Sequence, residues 1–179
     1  MSRVLLLFAH PDLEKSRANR KLVERARGVS GVTFHDLYEA YPDFDVDVKR
    51  EQALLLAHDT VVLQHPFYWY QAPALVKQWE DLVLEHGWAY GTGGTALRGK
   101  RLVSAITTGG GEAAYRAEGH NRFTVRQLLA PIEQTARLCG MEFLEPFVVY
   151  GTHALGAAEI EAAAAAYAAR LAELRAGTA

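Results

Sequence analysis

Short apolar runs alternate with longer amphipathic ones along this chain, and that alternation restricts its fold more than any other feature. Residues 3–9 (RVLLLFA) form a continuous apolar run closed by His10-Pro11. A run of that length without polar alternation suits a strand buried on both faces. Residues 32–37, 60–64 (TVVLQ), 101–106 and 143–150 read as four further strands. Helical patterns lie between them. Residues 16–29 place Leu22, Val23 and Ala26 on one stripe behind Ser16 as N-cap. Residues 49–58, 72–85, part of 121–138 and 157–176 carry the others, and the 72–85 segment collects Leu75, Val76, Trp79, Leu82 and Val83 on one face. Strands alternating with helices of this length build right-handed βαβ units. The expected fold is therefore a single α/β domain over residues 1–179, with a five-stranded parallel sheet covered by helices on both faces.

Composition excludes several function classes. Nineteen Lys and Arg stand against 21 Asp and Glu, a net charge of −2. The basic excess that neutralises phosphates in a nucleic-acid binder is missing, so no nucleic-acid partner is expected. Half the residues are hydrophobic, enough for a packed core. Cys139 is the only cysteine and cannot close an internal disulfide, which fits a reducing compartment. No stretch reaches the roughly 18–20 apolar residues of a membrane span. Residues 1–9 are too short for a signal peptide, and the expected location is the cytoplasm. The seven histidines contain no His-x-x-His or His-x-x-x-His pair, so no metal is expected. No G-x-S-x-G nucleophile elbow is present.

In an open parallel sheet, ligands bind outside the carboxyl ends of the strands, where strand order reverses. Three strand ends have unusual sequences. The first leads from His10 to a helix start at Ser16, Arg17, Ala18 and Asn19, whose N–H groups and dipole suit an anion; plain capping by Ser16 is the alternative. It has neither G-x-G-x-x-G nor the P-loop pattern. The second places Phe67, Tyr68, Trp69 and Tyr70 in succession after Pro66. Four adjacent aromatics cannot all enter one core, so some line a pocket or an interface, unless the loop is a packed corner. The third, Thr107-Thr108-Gly109-Gly110-Gly111-Glu112, lets backbone approach a ligand closely, with an ordinary flexible turn as the alternative.

These segments occur in order with Leu37-Tyr38, Tyr41-Pro42-Asp43-Phe44, Gln64-His65-Pro66, His86-Gly87-Trp88-Ala89-Tyr90-Gly91, Gly93-Gly94-Thr95-Ala96-Leu97 and Cys139-Gly140. So arranged, essentially the whole chain resembles the flavodoxin-like NAD(P)H:quinone oxidoreductases. Within that family it is most like the KefF-like ancillary flavoproteins of bacterial glutathione-gated potassium-efflux systems. The resemblance implies a flavodoxin-like three-layer fold with a flavin at the switch point, FMN with FAD as the alternative. It assigns His10, Ser16, Arg17, Ala18 and Asn19 to the flavin phosphate. Pro66, Phe67, Tyr68, Trp69 and Tyr70, with Thr107, Thr108, Gly109 and Gly110, are assigned to the ring. NAD(P)H is the implied co-substrate and a quinone the implied acceptor, in a homodimer whose partner chain closes the pocket. Trp88 and Tyr90 would roof it.

Reduction of a flavin leaves negative charge on its N1–C2=O2 edge, and preorganised donors stabilise such charge. Gly109 and Gly110 N–H groups are the first candidates. Mammalian quinone reductases carry a tyrosine and a histidine at positions similar to Tyr115 and His120, the implied catalytic pair. The resemblance also allows a regulatory flavoprotein subunit bound to a potassium-efflux transporter, which would place the protein peripherally at the inner membrane. Two other classes fare worse. A zinc deacetylase would follow His10-Pro11-Asp12 with a second Asp, and position 13 is Leu. A one-electron flavodoxin would be strongly acidic.

Overall fold

The computed structural model describes residues 1–177. Six strands, β1 (Val4–Phe8), β2 (Val32–Asp36), β3 (Thr60–Pro66), β4 (Arg101–Thr107), β5 (Glu142–Phe143) and β6 (Phe147–Val149), form one sheet. All its pairings are parallel. The order is β2-β1-β3-β4, and β5 and β6 share the last position against β4. Every residue of β1 and β3 is buried, as continuous apolar runs require. Among the described residues seven α-helices connect and cover the strands: α1 (Arg17–Arg27), α2 (Leu37–Ala40), α3 (Val48–Ala57), α4 (Ala74–Val83), α5 (Val125–Leu128), α6 (Ala130–Leu138) and α7 (Ala157–Ala176).

The strands' alternating side chains divide the core in two. Val4, Leu6, Val62 and Val103 meet Leu22, Ala26, Tyr167 and Leu171 from α1 and α7. Leu5, Leu7, Val61 and Leu63 meet Leu55, Leu75, Trp79 and Ile132 from α3, α4 and α6. Burying each such leucine contributes roughly 1.5–3 kcal/mol. The sheet thus carries helices on both faces, the flavodoxin-like three-layer arrangement. Among the described residues no helix is long and apolar enough to cross a membrane.

Three sequence expectations are corrected. The run 143–150 is two strand segments, because Pro146 has no N–H for the ladder between them. Helix within 121–138 begins only at Val125, where Thr124 and Gln127 form a capping box, and it breaks before α6, which has Pro at its start. The short α2 was not foreseen; Asp36 caps it by accepting from Tyr38 and Glu39 N–H.

Candidate active site

Chain order reverses between β1 and β3, and a crevice of about 500 Å³ opens there at the carboxyl edge of the sheet. Four loops line it. The β1–α1 loop supplies His10, Asp12, Lys15, Ser16, Arg17, Ala18 and Asn19. The β3–α4 loop adds Pro66, Phe67 and Tyr68, the end of β4 adds Thr107 and Gly109, and the β6–α7 loop adds Thr152 and His153.

At α1, Ser16 Oγ accepts from Asn19 N–H and Asn19 Nδ2, both at 3.1 Å. Asn19 Nδ2 also donates to Thr107 Oγ1 at 2.9 Å, which ties the helix start to β4. Asn19 is only 2% exposed, yet its Oδ1 has no partner among the described residues. The N–H groups of the first helical residues, Arg17 and Ala18, have no carbonyl one turn back to receive them. Asp12 N–H donates to His10 Nδ1 at 3.1 Å, so the neutral ring carries its proton on Nε2. Burial lowers the His10 pKa, against a smaller opposing pull from Asp12. The hydrogen bond from Lys15, 2.6 Å long, holds the Asp12 carboxyl below the usual range.

The aromatic loop is anchored by Phe67 N–H donating to Thr107 O at 2.8 Å. Tyr68 and Gln71 exchange both backbone hydrogen bonds around Trp69 and Tyr70, whose φ values are 52° and 64°. This is the type I′ pattern, built on two bulky side chains rather than on Asn-Gly, and each left-handed residue costs on the order of 1–3 kcal/mol. It turns Trp69 outward, 90% exposed, while Tyr68 faces the crevice. Tyr70 Oη donates to Asn121 Oδ1 at 3.2 Å.

The glycine loop is zipped to the β6–α7 loop. Thr108 N–H donates to Val149 O, Gly151 N–H to Gly110 O, and Thr152 N–H to Thr108 O, each at 2.9 Å. Thr108 Oγ1 turns back to Gly110 O at 2.7 Å. Among the described residues the N–H groups of Gly109 and Gly110 have no hydrogen-bond partner. A Cβ on Gly109 would lie 2.8 Å from the His153 ring, so this position admits no side chain unless that ring moves. Tyr115 is buried behind the loop, where a Gly110 Cβ would sit 3.4 Å from its ring. Burial raises its pKa, and a hydrogen bond with Thr108 opposes this.

Ten of the sequence-predicted residues therefore line one crevice: His10, Ser16, Arg17, Ala18, Asn19, Pro66, Phe67, Tyr68, Thr107 and Gly109. Thr108, Gly110 and Tyr115 lie in or behind its glycine wall. Trp69, Tyr70, Trp88, Tyr90 and His120 do not line the crevice of a single chain. Trp88 and Tyr90 pack partly on the larger core cluster, and His120 is exposed. Thr152 and His153 were missed. The rule that pointed to the other strand ends applied to them as well, since Gly151-Thr152-His153 follows the last strand. Among the described residues no three His, Cys, Asp or Glu side chains converge on a metal position.

A flat ligand with an anionic tail suits this shape. The N–H groups of Gly109 and Gly110, unpartnered among the described residues, and the N–H groups at the start of α1 fit a flavin's ring edge and its phosphorylated chain respectively. Fold and crevice together define a flavodoxin-like protein. The chain belongs to the family described as having the flavodoxin-like fold, whose model matches residues 2–174. It is 49% identical over 150 residues to an uncharacterized NAD(P)H oxidoreductase, YrkL, of Bacillus subtilis (strain 168), covering 84% of this chain and 86% of that one. It is 48% identical over 165 residues to the glutathione-regulated potassium-efflux system ancillary protein KefG of Pectobacterium atrosepticum, covering 92% and 90%.

Solved structures are similar as well. The general stress protein 14 of Treponema denticola, in complex with FMN, matches with TM-score 0.90 and 37% identity over 96% of this chain and 99% of that one. An NADPH-quinone reductase from P. pentosaceus matches with TM-score 0.85 and 33% identity, over 94% and 96%. A chain described as a thermophilic tryptophan halogenase from "Streptomycin violaceusniger" matches with TM-score 0.89 and 43% identity, over 91% and 95%.

Proposed function

We propose that this enzyme is a flavin-dependent NAD(P)H:quinone oxidoreductase that oxidises NAD(P)H and reduces a quinone by two electrons at one crevice, the two substrates binding in turn. The observation that carries the reading is the convergence on one crevice of the start of α1, the Pro66–Tyr68 wall and Gly109, beside which the N–H groups of Gly109 and Gly110 have no partner among the described residues. The relatives named as an NAD(P)H oxidoreductase and an NADPH-quinone reductase support it. A bound flavin supplies the two-electron redox chemistry, which no side chain here provides. Ser16, Arg17 and Ala18 bind its phosphate with the α1 N–H groups, helped by the Nε2 proton of His10. Tyr68 and Phe67 wall the ring, and the Gly109 and Gly110 N–H groups meet the ring edge where negative charge develops.

FMN is the favoured cofactor, as in the Treponema relative. A homodimer is part of this reading: Trp69 stands 90% exposed, and Trp88 and Tyr90, which do not line the crevice of a single chain, would roof the flavin of a second copy. Similarity to the KefG proteins supports a second, compatible role as ancillary subunit of a potassium-efflux transporter, with the protein in the cytoplasm and peripheral to the inner membrane.

Titrating apo-protein with FMN tests the reading: one flavin per chain is taken up with quenching of its fluorescence, and the yellow protein couples NAD(P)H oxidation to quinone reduction. A protein that takes up neither FMN nor FAD ends it. Within the same assay Tyr115→Phe slows flavin reduction by NAD(P)H about tenfold, since one donor of several is lost. Single-turnover kinetics reads that step, and flavin affinity stays unchanged. An unaltered rate would make Tyr115 a packing residue only.

A further inference from the structure

We propose that Arg17, with the loop 152–155, selects FMN over FAD by closing the crevice just past the start of α1; this rests on the flavin reading above. α1 and α7 lie side by side on one face of the sheet and run in the same direction. Arg17 Nη2 donates to Leu155 O at 2.8 Å, and farther along both Lys21 and Arg25 pair with Glu161. The two helix starts are therefore tied together at the end of the crevice where the α1 N–H groups would hold a phosphate.

A phosphomonoester ends there, with its ionised oxygens facing α1 N–H groups and the Arg17 cation. A dinucleotide replaces one of those oxygens with a second phosphate and an adenosine, which must leave the crevice. One rim is the Asp12–Lys15 turn, held by its own ion pair at 2.6 Å. The other is Thr152 and His153, zipped to the glycine loop. The Arg17–Leu155 bond spans the end between them, so the adenosine arm enters only by breaking it. That bond is exposed, which makes the selection modest rather than absolute.

The test is a fluorescence-quench titration of apo-protein with FMN and with FAD, which needs no turnover. Wild type is expected to bind FMN about tenfold more tightly than FAD, and Arg17→Ala to bring the ratio close to one. His153→Ala trims the opposite rim without altering the arginine's charge and lowers the ratio in the same direction. Equal affinities in wild type would overturn the latch. So would Arg17→Ala weakening both flavins equally, because Arg17 would then serve only as a counter-charge. Binding of neither flavin overturns the flavin reading itself, and the latch with it.

Discussion

Glu51→Ala lowers the unfolding free energy by about 3–5 kcal/mol, the cost of breaking one partner out of a buried charged network. Glu51 is wholly buried in α3. Its Oε1 accepts from His35 Nε2 at 2.8 Å and from Tyr41 Oη at 2.5 Å, and its Oε2 accepts from Trp79 Nε1 at 2.8 Å. Those donors come from β2, the segment after α2, and α4, so one carboxylate joins four parts of one face of the fold. Burial alone would raise the Glu51 pKa; the three donors outweigh it and hold the carboxyl below its usual value. Alanine leaves three buried donors without their acceptor. Tyr41→Phe removes one donor and leaves the carboxylate two, so it should cost only about 0.5–1.5 kcal/mol. Urea denaturation of both variants checks the ranking. A Glu51→Ala loss no larger than that of Tyr41→Phe would show that solvent or rearrangement satisfies the stranded donors.

This network also marks a boundary of what the sequence discloses. The apolar run at 3–9 and the alternation of elements are local patterns, and they locate the sheet, its parallel sense and its two covered faces. Ser16 is the N-cap expected of it, and α7 runs over the expected residues 157–176. A lone glutamate in an amphipathic helix, by contrast, reads as a solvated face. Only the tertiary meeting of His35, Tyr41 and Trp79 makes Glu51 a buried anion. The site divides in the same way. Loops flagged by glycines, consecutive aromatics or a capped helix start were legible because each strains a local rule. His153 strains none, and it becomes part of the crevice through backbone bonds between residues 108–110 and 149–152. Nor does any propensity foretell that Trp69 and Tyr70 occupy left-handed backbone. The crowding of four aromatics did foretell that they part company: Phe67 packs on the core, Tyr68 lines the crevice and Trp69 faces outward.

Two groups that the proposed reaction leaves aside should set the protein's acid profile, and they oppose one another. His65 is completely buried in β3; its Nδ1 lies 3.0 Å from Pro66 O and its Nε2 has no partner among the described residues. Burial pushes its pKa from 6.5 down to about 4. Glu80 on α4 borders a small apolar cavity of about 40 Å³ with Leu84, Cys139 and Met141. Burial raises its carboxyl from 4.5 to about 7, Lys77 opposing and Asp81 assisting. Between about pH 6.5 and pH 4 the unfolded chain protonates position 65 while the native state does not, so His65 removes stability as pH falls. Between about pH 7 and pH 4.5 the native state keeps a proton on Glu80 that the unfolded chain has released, so Glu80 adds stability as pH falls. Each contribution totals about 3 kcal/mol, at about 1.4 kcal/mol per pH unit within its window. Where the windows overlap, from about pH 6.5 to pH 4.5, the contributions of these two groups cancel one another. Glu80→Gln unmasks His65, so unfolding free energies from urea titrations should fall by about 1.4 kcal/mol for each pH unit of acidification across that interval. His65→Asn should show the reverse slope. A Glu80→Gln profile no steeper than that of wild type would mean that His65 takes up its proton in the native state, for instance by opening β3 at the crevice wall.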